Sequence, residues 1–403
     1  MKQFIFILVF VALPTLAEAR VFPQGVYCLG NVENNVNCTA SPPLSNAYVD
    51  GVTLRYRWAN FEPADGTYSW TEIDSDLATI QTAGKHASIM LQSGPQAPCW
   101  LINEGSLVYA TYPTLVTNCA AVPSQTITVA DTNNAGAIVA PWDANYLAKF
   151  NAFITALSTH LMAQNEMGII TGVTITGVNK AGAETNLPNP TDTPGWTAVG
   201  YSASRMESAF NQILVWWGQA FTDQALIVRY TFASWPTGFS PPTCASGSSS
   251  LVRDLSDIAQ SAYPLRYMFA YNGLDATTYG NMLPQMCPIG GNSIGAGTWA
   301  DCNNTALSCI SNIDLNTFLG GISYYGWEGL QDLSASEGDG NAATVLTNIK
   351  SLTTHNLYWE VYPVYFTAAN LTAFNNAKTY LDGQSTWQNC APYTLNNASG
   401  TWR

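Results

Sequence analysis

The chain has 403 residues, and its 14 Lys and Arg face 27 Asp and Glu, which gives a formal net charge of −13. This acidic balance argues against nucleic acid and anionic membranes as partners, because both carry negative charge themselves. Charged residues make up 10% of the chain and hydrophobic residues 47%, so there is ample material for a core. We expect a monomer whose solubility depends on Ser, Thr, Asn and Gln.

The first 19 residues have the pattern of a secretory signal peptide. Lys2 supplies a positive start, an apolar run covers residues 4–13, and residues 17–19 (Ala-Glu-Ala) form a small-residue cleavage site. The apolar run is too short to span a bilayer as a helix. We therefore predict that residues 1–19 are removed and that residues 20–403 form one secreted, extracellular domain.

Nine cysteines in an exported chain indicate disulfides with one thiol left over. We predict that Cys390 is the free thiol and that the pairs are Cys28–Cys38, Cys99–Cys119, Cys244–Cys287 and Cys302–Cys309. The chain has no Cys-x-x-Cys motif, and its three histidines are scattered, so spacing alone predicts neither a metal site nor a cofactor. Glycosylation sequons occur at Asn37, Asn303, Asn370 and Asn397.

Short apolar runs alternate with amphipathic helical patterns along the chain, which predicts parallel strands with crossover helices. The predicted strands are residues 25–30, 52–58, 87–92, 169–178, 225–232, 265–271, 319–325 and 357–362. The predicted helices are residues 71–83, a segment capped by Asp143, and residues 204–221, 251–262 and 341–352. Residues 31–47 lack a convincing helix.

This order indicates an α/β fold, a single (β/α)₈ TIM barrel, with loop insertions at the carboxyl-terminal face near residues 102–140 and 236–250. A doubly wound open sheet is the alternative. It is disfavoured because no Gly-rich phosphate-binding turn follows the first strand and no G-x-S-x-G elbow occurs.

The loop after the second predicted strand carries a specific motif. Residues 58–70 read W-x-x-x-E-P-x-x-G-x-Y-x-W, followed by I-D-x-x-L at residues 73–77 and by P-x-W at residues 98–100. Over residues 51–101 the chain resembles barrel glycosidases related to family 42 β-galactosidases. Its A-E-x-x-L-P segment, residues 183–188, also resembles uncharacterised hydrolase-like barrels. We interpret Glu62 in this motif as structural.

The resemblance implies a retaining glycoside hydrolase with catalytic carboxylates at the ends of strands 4 and 7. Glu184, after the fourth predicted strand, is the expected acid/base, because a partly buried barrel mouth raises a Glu pKa. The family pattern has Asn before this Glu, where this chain has Ala183. Glu328, which closes the seventh strand segment, is the expected nucleophile. Glu360, within or at the end of the eighth strand, is the alternative.

Further residues are candidates for substrate binding. Arg55 on strand 2 is expected to orient the nucleophile, because the resemblance places an arginine there. Trp and Tyr faces suit the apolar faces of sugar rings, and Asn side chains suit sugar hydroxyls. The remaining candidates are Trp58, Trp100, Asn179, Asn186, Tyr271, Asn272, Trp327 and Trp359.

The sequence thus predicts a secreted hydrolase that cleaves O-glycosidic bonds of a poly- or oligosaccharide. A non-catalytic carbohydrate-binding barrel is the main alternative, because the residue before Glu184 departs from the pattern. A secreted structural glycoprotein is a weaker one. Convergence of Glu184 and a second glutamate across the barrel mouth would favour the enzyme, since barrels host many functions.

Overall fold

The computed structural model describes part of the chain, in segments that cover the barrel strands and most of their flanking helices. These are residues 22–30, 38, 43–103, 109–111, 126–128, 137–178, 197, 199–230, 255, 258–259, 261–263, 266–274, 325–329, 342–352, 356–384, 395–396 and 401–402.

Eight parallel strands form a closed barrel in the order β1-β11-β10-β9-β8-β7-β3-β2. These strands are β1 (Gly25–Leu29), β2 (Gly51–Arg57), β3 (His86–Gln92), β7 (Ile170–Thr174), β8 (Ala225–Tyr230), β9 (Tyr267–Leu274), β10 (Tyr325–Gly329) and β11 (Asn356–Val361). Short strands form two further sheets: β4 (Tyr109–Thr111), β5 (Thr126–Thr128) and β6 (Ala137–Val139) in one, and β12 (Leu395–Asn396) and β13 (Thr401–Trp402) in the other. The prediction of a (β/α) barrel is confirmed.

The helices of the described residues surround this barrel. They are α1 (Trp58–Phe61), α2 (Thr71–Thr82), α3 (Cys99–Asn103), α4 (Ala144–Ala163), α5 (Ala203–Ala220), α6 (Ala342–Leu352) and α7 (Leu371–Asp382). Asp143 begins α4 as predicted, because its carboxylate accepts hydrogen bonds from the backbone N–H groups of Asn145 and Tyr146 at 2.9 and 3.0 Å. No helix among the described segments is long and apolar enough to cross a membrane.

Alternation along the strands separates two cores. On β2, Val52 and Leu54 pack with Leu77 of α2 in the main core between sheet and helices. The intervening positions, Thr53 and Arg55, lie on the opposite face, because successive side chains in a strand point to opposite sides. That opposite face is the barrel interior.

A second apolar cluster fills the barrel interior. It joins Tyr27 of β1 with Ile227 of β8 and Met268 of β9, all fully buried, although β1 pairs with neither β8 nor β9. Closure of the barrel brings these strands together. The interior is therefore a packed core rather than a pore, and any site must lie towards the carboxyl-terminal mouth.

Two elements differ from the sequence prediction. The seventh strand was expected at residues 319–325; residues 319–324 lie outside the described residues, and the described strand β10, Tyr325–Gly329, extends beyond the predicted end. The sequence also gave no sign of α7, which packs Phe374 and Leu381 against the barrel core.

The covalent cross-links agree with part of the predicted pattern. Cys28 and Cys38 form a disulfide with a Cα–Cα separation of 5.8 Å. Cys99 is also disulfide-bonded, and its predicted partner lies outside the described residues, as do the other predicted pairs and Cys390. Among the sequon residues, Asn370 is half-buried, and its side-chain amide donates a hydrogen bond to the carbonyl of Tyr365 at 3.1 Å.

Candidate active site

A buried ion pair crosses the barrel interior between Arg229 of β8 and Glu360 of β11. Both side chains are completely buried, and the two terminal guanidinium nitrogens donate to the two carboxylate oxygens at 2.5 Å each. The hydroxyl of Thr53 on β2 donates a further short hydrogen bond to Glu360. Bidentate geometry of this kind is the strongest way for arginine to hold a carboxylate.

The remaining donors of Arg229 are also used. Its Nε donates to the Thr174 hydroxyl at 3.0 Å, and a terminal nitrogen donates to the Tyr358 hydroxyl oxygen at 2.8 Å. Each of these partners is buried. A buried charge is tolerated only when it is paired and hydrogen-bonded, and this network meets that requirement. The arrangement favours a positioning role for Glu360, since both of its oxygens already have partners inside the barrel.

Glu328 lies beside this ion pair in the backbone register. On β10 it pairs with Glu360 of β11 on one side and with Asn272 of β9 on the other. Residues paired in a parallel ladder share one face of the sheet, and neighbouring strands lie about 4.7–4.9 Å apart. In this ladder Glu328 and Asn272 stand level with Glu360 along the backbone.

Arg55 occupies the interior face of β2, one interior position beyond Thr53 towards the mouth. It is 7% exposed, and its Nε lies 3.2 Å from the sulfur of Met90. Met90 also packs with Leu29 and Tyr362 in a small apolar cluster at the carboxyl ends of their strands. The Arg55 guanidinium therefore lies against apolar side chains, an arrangement that suits a ligand with polar and apolar faces.

Two polar groups near the strand ends are buried without a hydrogen-bond partner: Nε of Arg57 and the hydroxyl of Thr176. Arg57 is the last residue of β2, and Thr176 follows β7 by two positions. Both lie at the carboxyl-terminal side of the barrel. Because buried polar groups are nearly always satisfied, these two are candidates to bind water or a polar ligand.

The loop after β2 is held by Glu62, which is 2% exposed. Its carboxylate accepts the Trp58 indole N–H at 2.7 Å and the Gly66 backbone N–H at 2.9 Å, and its carbonyl accepts the Trp100 indole N–H at 2.8 Å. Burial raises the pKa of Glu62, while the hydrogen bonds from Gly66 and Trp58 oppose that rise. The interpretation of Glu62 as structural is confirmed.

These contacts correct the expectation for Trp58 as a sugar-binding residue. Its ring is completely buried and packs against Phe150 and Phe153 of α4 at centroid distances of 5.1 and 5.5 Å. Trp100 is partly buried and has Lys149 Nζ 5.8 Å from its ring centroid, so it remains a candidate.

Trp359 needs the same correction, because it belongs to the core between sheet and helices. It is completely buried and packs on Phe374 of α7 at 5.5 Å. Trp327 pairs in register with Trp359 and with Tyr271. Trp327 and Tyr271 stay candidates on the sequence alone.

Three predicted site residues, Glu184, Asn179 and Asn186, lie outside the described residues. The sequence prediction missed the partner of Glu360. Arg229 is a charge within an otherwise apolar strand, Ala-Leu-Ile-Val-Arg-Tyr, which is the same signal that identified Glu360. One charged residue of each sign in the two apolar strands β8 and β11 indicates a buried ion pair between them.

Comparison with known proteins supports the fold. The chain is similar to a solved structure described as the catalytic domain of β-amylase from Paenibacillus polymyxa, with a TM-score of 0.52 and 10% sequence identity. The match covers 91% of this chain and all of that one. No protein-family profile and no curated protein sequence matches the chain. At this identity the likeness shows a shared (β/α)-barrel fold and no more.

Proposed function

We propose that this protein is a secreted glycoside hydrolase that cleaves O-glycosidic bonds of a poly- or oligosaccharide with retention of configuration. In this proposal Glu328 is the nucleophile and Glu184 the general acid/base. Glu328 attacks the anomeric carbon, while Glu184 protonates the departing oxygen. Glu184 then activates the water that hydrolyses the glycosyl-enzyme.

The register of β10 is the observation that carries the proposal. In this register the backbone of Glu328 pairs with that of Glu360, one position from the end of β10, which supports the proposed role. Active sites of such barrels collect at the carboxyl ends of the strands. A charged glutamate in a barrel strand costs free energy unless it is paired, so its presence at this point favours a pairing or a functional role.

The Arg229–Glu360 pair gives Glu328 a suitable electrostatic setting. Two carboxylates on adjacent strands repel each other, because they carry like charges. Arg229 compensates the charge of Glu360 through two hydrogen bonds. This compensation lessens the repulsion that Glu328 would meet as the nucleophile. Asn272, its register neighbour on β9, is a candidate to contact the sugar or the nucleophile.

The substrate class follows from charge and fold. An acidic chain of net charge −13 suits a neutral saccharide better than an anionic one. The fold neighbour is, by its own description, a β-amylase catalytic domain. The signal-like residues 1–19 support secretion.

The test is release of reducing sugar from a panel of neutral polysaccharides by the purified mature protein. We expect turnover of at least one substrate, and loss of that turnover in Glu328→Gln and in Glu184→Gln. Glu72→Gln is the matched control, because Glu72 lies on α2 outside the barrel, and it should retain full activity. Activity that survives both site variants would overturn the assignment.

A carbohydrate-binding barrel without catalysis is the other candidate, because Ala183 replaces the expected Asn before Glu184. Saturable polysaccharide binding without turnover would favour it. Neither binding nor turnover across the panel would contradict both.

A further inference from the structure

Three side chains that could ligate a metal ion converge outside the barrel, apart from the proposed catalytic residues. They are Asp74 of α2, His160 of α4 and Glu166, which follows α4. One ligand atom from each lies within 4.8 Å of the other two. The His160 Nε2 and an Asp74 carboxylate oxygen are 2.6 Å apart although the residues are 86 positions apart in sequence.

The cluster lies outside the strand barrel, because Asp74 is on α2 and His160 on α4. Glu166 lies on the amino-terminal side of β7, four positions before the first residue of that strand, Ile170. The proposed active site lies at the carboxyl-terminal mouth of the barrel. Any ligand held here is therefore separate from the saccharide site.

Glu166 supplies an independent observation that points to a ligand. Its Oε2 atom is buried and has no hydrogen-bond partner. A buried carboxylate oxygen without a partner costs free energy, so a native structure is expected to provide one. Burial is the largest effect on the pKa of Glu166 and raises it. The charge of Asp74 raises this pKa further, whereas His160 lowers it.

The surroundings carry an excess of negative charge. Glu72 and Asp76 lie on the same helix as Asp74, and both, with Glu166, raise the pKa of the buried Tyr56. The group thus contains four carboxyl groups and one imidazole. A divalent cation would compensate this charge more completely than the imidazole can.

We propose that Asp74, His160 and Glu166 form a binding site for a divalent transition-metal ion of the Zn²⁺ type. One imidazole nitrogen with two carboxylate oxygens is a donor set that Zn²⁺ accepts, with water at the fourth position. Bonds of about 2.0–2.1 Å separate tetrahedral ligand atoms by roughly 3.3–3.4 Å. The present spacing requires rearrangement by about 1 Å, which rotation of the partly exposed Asp74 side chain can supply.

The site was not visible in the sequence. Scattered histidines and the absence of close Cys or His spacing predicted no metal site. The proposed ligands come together only when α2 packs against the end of α4 in the folded chain. No short sequence motif contains all three of them.

Titration calorimetry of the chelator-treated mature protein with ZnCl₂ tests the proposal. We expect binding of one equivalent at this site, and at least tenfold weaker binding in Glu166→Gln and in His160→Gln, since even partners that only support metal ligands cost 10–100-fold. Glu72→Gln removes a neighbouring charge but no ligand, and should change the affinity less than about threefold.

Thermal unfolding provides the second readout. Zn²⁺ should raise the melting temperature of the native protein and of Glu72→Gln, and leave Glu166→Gln unchanged, because a ligand stabilises only the state that binds it. His160 stacks on Trp70 at 5.3 Å, so His160→Gln can lose stability for packing reasons, which Glu166→Gln avoids. Zn²⁺ binding that is absent, or that is unaffected by Glu166→Gln, would overturn the proposal.

Discussion

Replacement of Arg229 by Met tests whether the interior ion pair is integral to the barrel. Arg229 donates two hydrogen bonds of 2.5 Å to Glu360 and one each to Thr174 and Tyr358. Arg229→Met leaves the Glu360 carboxylate buried without its counter-charge. Removing one partner of a buried pair costs about 3–5 kcal/mol. Typical total stabilities are about 5–15 kcal/mol, so the loss is a large share of the free energy of unfolding.

The double variant separates pairing from packing. Glu360→Met alone should also destabilise, because it leaves Arg229 without its carboxylate. Arg229→Met with Glu360→Met removes both charges, and such replacements are often neutral or stabilising. We therefore expect the double variant to unfold at higher urea concentration than either single one. Tryptophan fluorescence at neutral pH reports the transition. The reasoning would be refuted if each single variant lowered the free energy of unfolding by less than about 1 kcal/mol and the two effects were additive in the double variant.

Three further predictions concern the loop after β2, a helix cap and the barrel packing. Burial raises the pKa of Glu62 above its ordinary 4.5, so the folded state binds the Glu62 proton more tightly than the unfolded state does. The contribution of Glu62 to stability therefore falls as pH rises above 4.5. Glu62→Gln should flatten that decline in urea unfolding, and a difference in stability that does not depend on pH would contradict this. Asp143→Ala should cost about 1 kcal/mol in urea unfolding, whereas Asp143→Asn, which can still cap, should cost much less; equal losses would contradict the capping role. A Cβ at Gly51 would lie 2.3 Å from the Tyr27 ring, so Gly51→Ala should lower the free energy of unfolding in urea by about 1–3 kcal/mol. Gly84→Ala meets no atom within 4 Å but has φ +66° and should cost only about 1 kcal/mol.

The barrel could be predicted because its strands are short apolar runs of regular spacing, and hydrophobic periodicity is a local property. Seven of the predicted strands overlap the described ones over most of their length. For the seventh in order, residues 319–324 lie outside the described residues, and the described strand extends beyond the predicted end through Gly and Trp residues. That extension depends on pairing with β9 and β11, which no local pattern contains.

The candidate site was only partly predictable. A charge within an apolar strand identified Glu360, but its partner on β8 lies 131 positions away. Trp58 and Trp359 were assigned to the site by residue type, whereas the packing of their rings places both among core residues. An aromatic ring serves a core as well as a sugar platform, so residue type cannot distinguish these roles without the direction of the side chain.

Identification of the residue that carries the glycosyl-enzyme tests the central claim most directly. The mature protein would be incubated with a set of 2-deoxy-2-fluoro glycosides, which slow hydrolysis of the intermediate, and digested for peptide mass mapping. The account predicts one covalent sugar per chain, attached to Glu328, and none in Glu328→Gln. A sugar attached to Glu360, or turnover of substrate that proceeds with no covalent intermediate and inverts the anomeric configuration, would contradict it.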